Sequence, residues 1–251
     1  MKGLRFALAF GIVISAALVP TRSIAGEVAT CDFNKATIVG TDKGEILRGT
    51  NGDDVIVAKG GADRIKGRRG ADIICGGGGA DVIRGGDWED VVLAGDGRDR
   101  IYGGRFIDDL HGEDGADVIK GGASADDLYG GSHDDTLIGG HGGDGLWAGF
   151  GDDVAEGNTG ADFIAMGKGD DIVIDSGDQR DAKINEIIGG SGDDFLFGNS
   201  GNDVMRGGSG DDLLRGQEGD DYLDGGGDFD TLWGEVGTDT CINGEVVHEC
   251  E

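Results

Sequence analysis

A nine-residue repeat constrains the fold of this chain more than any other feature of the sequence. From Gly40 the chain divides into 15 consecutive blocks of nine that end at Ile174, and six more blocks run from Gly189 to Ile242. The sixth residue is Asp in 20 of the 21 blocks, with Glu45 as the exception, and the eighth is apolar in all 21. Self-similarity at a short fixed period is typical of solenoids, in which each repeat packs on its neighbours.

The block Gly76–Arg84 (GGGGADVIR) illustrates the local structure that the repeat predicts. Glycines at positions one, two and four permit positive φ, so each block is expected to open with a tight turn. Positions seven to nine, here Val82–Arg84, are expected to form a three-residue strand whose central side chain points to one face. Coaxial stacking aligns the eighth positions into an apolar ladder. The pattern predicts an all-β chain, a parallel β-solenoid or β-roll of about 21 repeats with one interruption.

The aspartates at position six indicate a cation. Stacking places Asp above Asp at a strand spacing of ~4.8 Å, and a column of bare carboxylates at that distance repels itself. A hard cation between layers turns this repulsion into attraction, because it binds carboxylates from two turns together with carbonyl oxygens from the glycine loops. Oxygen-only ligands with flexible geometry favour calcium over magnesium or a transition metal. Solvated Asx turns are the alternative, but they do not require Asp rather than Asn or Ser.

The negative charge of the chain is about as large as the positive charge that a full set of such ions would supply. Asp and Glu number 50 against 21 Lys and Arg, a formal net charge of −29, which argues against DNA or RNA binding. Removing residues 1–25 takes away three bases and no acid, which leaves −32. Pairing each block with the next but one gives 13 pairs in the first array and 4 in the second, an upper bound of 17 sites.

The motif Gly-Gly-x-Gly-x-Asp-apolar-apolar-x resembles the hemolysin-type calcium-binding repeat of the RTX family, for which this nonapeptide is a known signature. The resemblance covers most of the chain. It implies that two blocks make one turn of the roll and that each Ca²⁺ lies between loops i and i+2 on the same edge. The ligating side chains that it implies are Asp54, Asp63, Asp72, Asp81, Asp99, Asp117, Asp153, Asp162, Asp171, Asp194, Asp203, Asp212 and Asp221.

Departures from the motif predict weak sites. A Cβ at position four strains a turn that requires positive φ, so empty or distorted sites are expected near six residues at that position: Lys43, Trp88, Phe106, Ser124, His133 and Asp228. The stretch from Asp175 to Ile188 is longer than one block, and its sequence matches the motif poorly. It is either a loop from one continuous solenoid, which is favoured, or a hinge between two rolls.

The N-terminal segment, 1–25, is typical of a secretory signal peptide. Lys2 and Arg5 precede the apolar stretch Phe6–Val19, and Ser23–Ala25 supplies small residues for cleavage after Ala25. A retained N-terminal anchor is the alternative, but the apolar stretch is short for a membrane span. The chain is therefore expected to be secreted and extracellular, with no transmembrane segment after processing.

The predicted organisation is a signal peptide (1–25), an N-terminal cap (26–39), a calcium-binding array (40–174), an interruption (175–188), a second array (189–242) and a C-terminal cap closed by a disulfide (243–251). Four cysteines after a secretion signal predict disulfides. Three pairings are possible. Local pairs, Cys31 with Cys75 and Cys241 with Cys250, are favoured because a solenoid needs its end strands protected.

No residue pattern indicates catalysis. The chain has no His-Glu-x-x-His or Gly-x-Ser-x-Gly motif, and the repeats leave no room for a catalytic domain. His111, His133 and His141 are expected to be exposed substitutions. Trp88, Trp147 and Trp233 are expected to be packing or rim residues, because their irregular spacing argues against a sugar-contact surface.

The predicted function is extracellular calcium binding coupled to folding of the β-roll, without catalysis. The alternative is a surface adhesin or matrix protein in which calcium is only structural. Such a role predicts a non-acidic patch or an ordered Trp row on one sheet face, whereas a calcium buffer needs neither. The sequence leaves open whether the partner is a protein or a polysaccharide.

Overall fold

The computed structural model describes residues 30–174 and 185–250. The predicted signal peptide, residues 26–29 of the N-terminal cap, residues 175–184 of the interruption and Glu251 lie outside the described residues. Within the described ranges the regular structure is all β, and no helix there is long and apolar enough to cross a membrane.

Two parallel sheets of 12 strands each form a β-solenoid. Sheet I consists of β3 (Ile38–Val39), β5 (Val55–Gly60), β7 (Ile73–Gly78), β9 (Val91–Asp96), β11 (Asp109–Asp114), β13 (Asp127–Ser132), β15 (Gly145–Phe150), β17 (Phe163–Lys168), β19 (Glu186–Ser191), β21 (Val204–Ser209), β23 (Tyr222–Gly227) and β25 (Thr240–Ile242). Sheet II consists of β4 (Ile46–Arg48), β6 (Arg64–Arg69), β8 (Val82–Asp87), β10 (Arg100–Arg105), β12 (Val118–Ala123), β14 (Thr136–His141), β16 (Val154–Thr159), β18 (Ile172–Ile174), β20 (Phe195–Phe197), β22 (Leu213–Glu218), β24 (Thr231–Val236) and β26 (Val246–His248).

Each turn of the solenoid uses two blocks and adds one strand to each sheet. Ile101, for example, pairs with Ile83 in the layer before and with Ile119 in the layer after, each two blocks away in the chain. The β-roll architecture predicted from the repeat is confirmed.

Most strands are longer than expected, and the predicted three-residue strand is wrong. Positions one to three continue the strand that starts at position seven of the preceding block, as in β8, and the turn occupies only positions four to six. Positive φ is used at positions two and four, for example at Gly77 (+103°) and Gly79 (+129°). Position-one glycines such as Gly76 are absent from the positive-φ residues, so they are glycine for another reason, given below.

The core is the apolar ladder at position eight. Ile83, Ile101, Leu110 and Leu128 are completely buried, and the equivalent side chains of the other layers join them in a single cluster between the sheets. Burying each Ile or Leu contributes roughly 1.5–3 kcal/mol. Position one also points inward and holds mostly Gly or Ala, and Ala58, Ala94 and Ala148 at this position are completely buried.

Both sheets run through the interruption. Phe163 pairs with Glu186, and Ile172 pairs with Phe195, in the same parallel arrangement as elsewhere although the interruption separates the partners in the chain. Glu186–Ile188, assigned to the interruption from the sequence, therefore begin β19. The favoured loop from a continuous solenoid, rather than a hinge, agrees with this pairing.

Disulfides close both ends of the solenoid. A short hairpin of β1 (Thr30–Cys31) and β2 (Asn34–Lys35) is tied to β7 by the Cys31–Cys75 bond. The Cys241–Cys250 bond ties the chain end to β25. The local pairing is confirmed. Residues 243–251, predicted as a cap, also supply β26, the last strand of sheet II.

An aromatic ladder lies on the outer face of sheet I. His111 stacks on Tyr129 with 4.4 Å between ring centroids, Tyr129 on Trp147 with 4.7 Å, and Trp147 contacts Phe163 at 5.7 Å. His111 is therefore half-buried rather than exposed, whereas His133 and His141 are exposed as expected. The ring faces cover one another, so Trp147 is a packing residue as predicted.

Candidate metal centre

The position-six side chains form two continuous columns, one along each edge of the solenoid. Edge I is the set of turns that lead into sheet I, and edge II is the set that leads into sheet II. The column on edge I contains Asp54, Asp72, Asp90, Asp108, Asp126, Asp144, Asp162, Asn185, Asp203, Asp221 and Asp239. The column on edge II contains Glu45, Asp63, Asp81, Asp99, Asp117, Asp135, Asp153, Asp171, Asp194, Asp212 and Asp230. Every Asp in both columns is at most 5% exposed.

One carboxylate oxygen of each Asp holds the layers together. The backbone N–H of Asp81 donates to Oδ1 of Asp99 at 2.7 Å, and that of Asp99 donates to Oδ1 of Asp117 at 2.7 Å. Edge I repeats the arrangement, as from Asp90 to Asp108 at 2.9 Å. Each bond reaches two blocks ahead in the chain, which fixes the height of each turn relative to the next.

In most column aspartates the second carboxylate oxygen is buried and accepts no hydrogen bond from the described residues. Oδ2 of Asp54, at the start of edge I, instead accepts from the N–H of Thr50 at 2.6 Å. Burying an unsatisfied polar atom costs about 1–3 kcal/mol, and more when it is charged. Such an Oδ2 atom occurs in Asp63, Asp72, Asp81, Asp90, Asp99, Asp108, Asp117, Asp126, Asp135, Asp144, Asp153, Asp171, Asp194, Asp212, Asp221, Asp230 and Asp239.

Close packing explains the glycines at position one. A Cβ built on Gly76 would overlap the carbonyl oxygen of Ala94 in the next layer and would lie 2.7 Å from Oδ2 of Asp81, and one built on Gly85 would overlap Oδ2 of Asp90. The glycine therefore makes room for the neighbouring layer and for the carboxylate of its own block rather than for a turn.

Burial raises the pKa of the column carboxylates. The pKa of Asp108 rises to about 8, because desolvation is reinforced by the charges of Asp90 and Asp126, although the amide of Asp90 opposes the shift. The pKa of Asp135 in the other column also rises to about 8, again chiefly through desolvation. Without a cation, both columns hold carboxyl groups that resist ionisation at neutral pH.

Backbone carbonyls complete the oxygen environment of each edge. Among the described residues, no three His, Cys, Asp or Glu side chains come together as a metal cluster. A cation between two layers would therefore combine two carboxylates with main-chain oxygens. The carbonyl oxygen of Gly79 points along the solenoid axis at Gly97, where a Cβ would overlap it. Carboxylate and carbonyl oxygens with unused lone pairs fit Ca²⁺.

The structure places all 13 sequence-predicted ligand residues in these two columns and adds others with the same environment. The residues that sequence reasoning left out are Asp90, Asp108, Asp126, Asp135, Asp144, Asp230, Asp239 and Asn185. The nine-residue period already marked the seven aspartates. Asn185 was hidden by the degenerate block, and it joins Asp162 to Asp203 across the interruption.

Non-glycine residues at position four do not distort the column. Trp88 and Phe106 adopt φ of +90° and +74°, and Ser124, His133 and Asp228 behave alike, whereas Lys43 is not among the positive-φ residues. The N–H of Asp72 still donates to Asp90 at the usual 2.9 Å. The expected distortion is therefore wrong for these turns, which instead accept a backbone cost of order 1 kcal/mol each. Reduced occupancy near them stays a prediction.

Comparison with known families identifies the repeat. A sequence model described as the RTX calcium-binding nonapeptide repeat (4 copies) matches residues 39–74, 48–83, 76–110, 111–146, 139–173, 181–214 and 215–245. These matches extend through both arrays and include residues 181–184 and Asn185 of the interruption. No curated protein matches the chain.

Proposed function

Because the chain belongs to the RTX calcium-binding nonapeptide repeat family, we propose that it binds a stack of Ca²⁺ ions along both edges and that this binding drives folding of the β-roll. The buried Oδ2 atoms without hydrogen-bond partners are the observation that carries the proposal. Each bound ion supplies the positive charge that two facing carboxylates lack.

The ligands would be the thirteen predicted aspartates together with the seven further aspartates of the same columns. In the inner layers Oδ1 stays engaged with the neighbouring layer, and Oδ2 faces the ion together with turn carbonyls. At the start of edge I, Oδ2 of Asp54 is already held by the N–H of Thr50. Each edge offers ten adjacent pairs of position-six residues. One of these pairs includes Glu45 and two include Asn185, so pairs of two aspartates number eight on edge I and nine on edge II, which again gives 17 sites.

Folding is coupled to binding because the fold cannot bury this much charge alone. A net charge of −29 repels itself, and desolvation penalises each carboxylate in the columns. Extracellular calcium modules bind with dissociation constants of about 10⁻⁴–10⁻³ M. A chain secreted through the predicted signal peptide would thus stay unfolded at low calcium and fold outside the cell. No catalytic role is proposed.

Circular dichroism of the oxidised protein during a calcium titration tests this function. A reversible, sigmoidal coil-to-β transition near millimolar calcium, undone by EGTA and not reproduced by equal magnesium, is expected. A β signal that persists unchanged in EGTA would overturn the coupling, and the alternative, an adhesin or matrix protein with structural calcium only, would take its place.

A further inference from the structure

Position five on edge II changes character halfway along the solenoid. In the first five turns it holds small residues and one base: Gly44, Ala62, Ala80, Arg98 and Ala116. In the next five turns it holds only aspartates: Asp134, Asp152, Asp170, Asp193 and Asp211. These five side chains are exposed, unlike the buried aspartates that follow each of them in the chain.

The exposed aspartates form a second, outer column. The N–H of Asp152 donates to Oδ1 of Asp134 at 3.1 Å, and Asp170, Asp193 and Asp211 continue the chain of bonds. Negative charges therefore follow one another at the layer spacing of ~4.8 Å. In residues 30–174 and 185–250, no Lys or Arg lies within ion-pair distance of any of the five.

A basic surface lies on the adjacent sheet, in the opposite half of the molecule. Strands β4, β6, β8, β10 and β12 of sheet II carry Arg48, Arg64, Lys66, Arg68, Arg69, Arg84, Arg100, Arg105 and Lys120. Their one acid is Asp87, which Arg69 and Arg105 approach at 3.6 and 3.8 Å. The side chains of Arg64, Lys66 and Arg100 are exposed without a carboxylate partner among the described residues. This is strong local positive charge on a very acidic chain.

One side of the basic surface, which carries Arg64 and Arg100, borders the same corner of the solenoid as the outer column, whereas Arg69 and Arg105 lie at the far ends of their strands, at edge I. Position seven follows position five by two residues, so Arg64 comes just after Ala62 and Arg100 just after Arg98. The small residues leave an open groove here, lined by Gly44, Ala62, Ala80, Arg64 and their neighbours. The corner is thus recessed and basic in the first five layers, and projecting and acidic in the next five.

We propose that the calcium-loaded protein forms an antiparallel, two-fold symmetric dimer along this corner. A two-fold rotation perpendicular to the solenoid axis places the acidic half of each copy against the basic half of the other, so that two equivalent contacts form. Because the layers of both copies have the same rise, the layer of Asp193 meets that of Arg64, and the layer of Asp152 meets that of Arg100. Such an interface is self-complementary and closed, as in most homodimers. Ten layers make it about 48 Å long, enough to bury roughly 800 Å² per partner.

Calcium controls this association, so the inference rests on the proposed function. Without ions, the net charge of −29 drives copies apart. Ions in the two inner columns remove most of that charge and leave the outer column and the basic surface as the dominant features. The dimer should consequently weaken as salt rises.

Charge reversal tests the pairing. Variant A carries Arg64→Glu, Arg84→Glu and Arg100→Glu, and variant B carries Asp152→Arg, Asp170→Arg and Asp193→Arg. Position five accepts Arg, because Arg98 occupies it in the same kind of turn. Sedimentation velocity in calcium at low salt should give a wild-type dimer, with the dissociation constant of A alone and of B alone raised at least about tenfold.

An equal mixture of A and B should recover a heterodimer, and one chain with all six changes should recover a homodimer. The control variant Lys35→Glu, Lys59→Glu and Lys168→Glu changes the charge as much as A does, but away from the corner, and should still dimerise. Longer polymers in the A and B mixture would contradict the closed two-fold arrangement.

Circular dichroism of the same samples separates the two proposals. Calcium-induced folding with a monomeric wild type, up to about 100 μM, overturns the dimer and leaves the calcium function intact. If that monomer binds an anionic polysaccharide such as heparin through Arg64, Arg84 and Arg100, the surface serves a different occupant, and the dimer is again wrong. No folding with calcium would overturn the proposed function itself.

Discussion

Asp152 and Asp153 are neighbours in the chain and carry the same charge, yet they belong to columns with opposite environments. Asp153 is completely buried and its Oδ2 accepts no hydrogen bond from the described residues, whereas Asp152 is exposed and shares its Oδ1 with the amide of Asp170. The same pair recurs at Asp134–Asp135 and Asp170–Asp171. Burial, rather than residue type, separates a candidate ligand from a surface charge.

The largest expected difference between the inner and outer columns appears on changing pH. Because the folded pKa of inner aspartates such as Asp108 and Asp135 lies near 8, above the ordinary 3.8, their contribution to stability is present at low pH and is lost progressively as pH rises from about 4 to about 8. In EGTA the chain should therefore gain β structure when acidified from pH 8 to pH 5, which stays above the sequence pI of 4.2.

In the presence of calcium, folding should depend on pH in the opposite direction. Protons compete with Ca²⁺ for the same oxygens, so the calcium midpoint should rise as pH falls from 8 to 6. Circular dichroism at each pH, with and without EGTA, measures both effects. A metal-free chain that loses structure on acidification would contradict the burial of the inner column.

A smaller effect is expected from removing charge in either column. Asp135→Asn, Asp153→Asn and Asp171→Asn together keep the Oδ1 acceptors but replace Oδ2 by an amide that cannot bind a cation. The calcium midpoint should rise on the order of tenfold, about 1.4 kcal/mol, with a broader transition because neighbouring layers are uncoupled.

The matched control moves the same change by one residue. Asp134→Asn, Asp152→Asn and Asp170→Asn should leave the midpoint within about twofold at low protein concentration, as for exposed charges in general. Equal shifts for the two triple variants would show that the columns do not differ in calcium binding.

A single substitution tests the space next to the inner column. Gly76→Ala places a Cβ against the carbonyl oxygen of Ala94 and 2.7 Å from Oδ2 of Asp81, whereas Gly78→Ala, in the same strand, meets no atom within 4 Å. Overpacking of this kind costs about 1–3 kcal/mol. Calcium titration of both variants should therefore show a higher midpoint for Gly76→Ala alone, and a matching rise in Gly78→Ala would point to loss of backbone freedom instead.

The period of the sequence was enough to predict the solenoid, the apolar ladder and the inner columns, because each depends on residue type at a fixed position. Strand length was not predictable in the same way. Glycines at positions one and two suggested a turn, but Gly76 lies in a strand, packed against the carbonyl oxygen of Ala94 and the carboxylate of Asp81, contacts made only in the folded chain.

Surface rows formed by every second block were also missed, because the residue type varies along each row. His111, Tyr129 and Trp147 stack because they share position nine of alternate blocks, but no single residue type marks the row. The basic surface and the outer aspartates were likewise spread over the chain, and only the assignment of alternate blocks to opposite edges brings each set together. Asn185 lay in a block too degenerate to align without the strand pairing around it.

The use of two blocks per turn gives the solenoid a parity. Gain or loss of one nonapeptide would move every later block to the other edge and every later strand to the other sheet. The outer aspartates would then change sides, and Trp147 would leave Tyr129. Gain or loss of a pair would shift the later layers along the axis and leave each face intact. The length of such a chain is therefore free to vary by whole turns, whereas a change of half a turn would move the later side chains to the opposite sheet or edge.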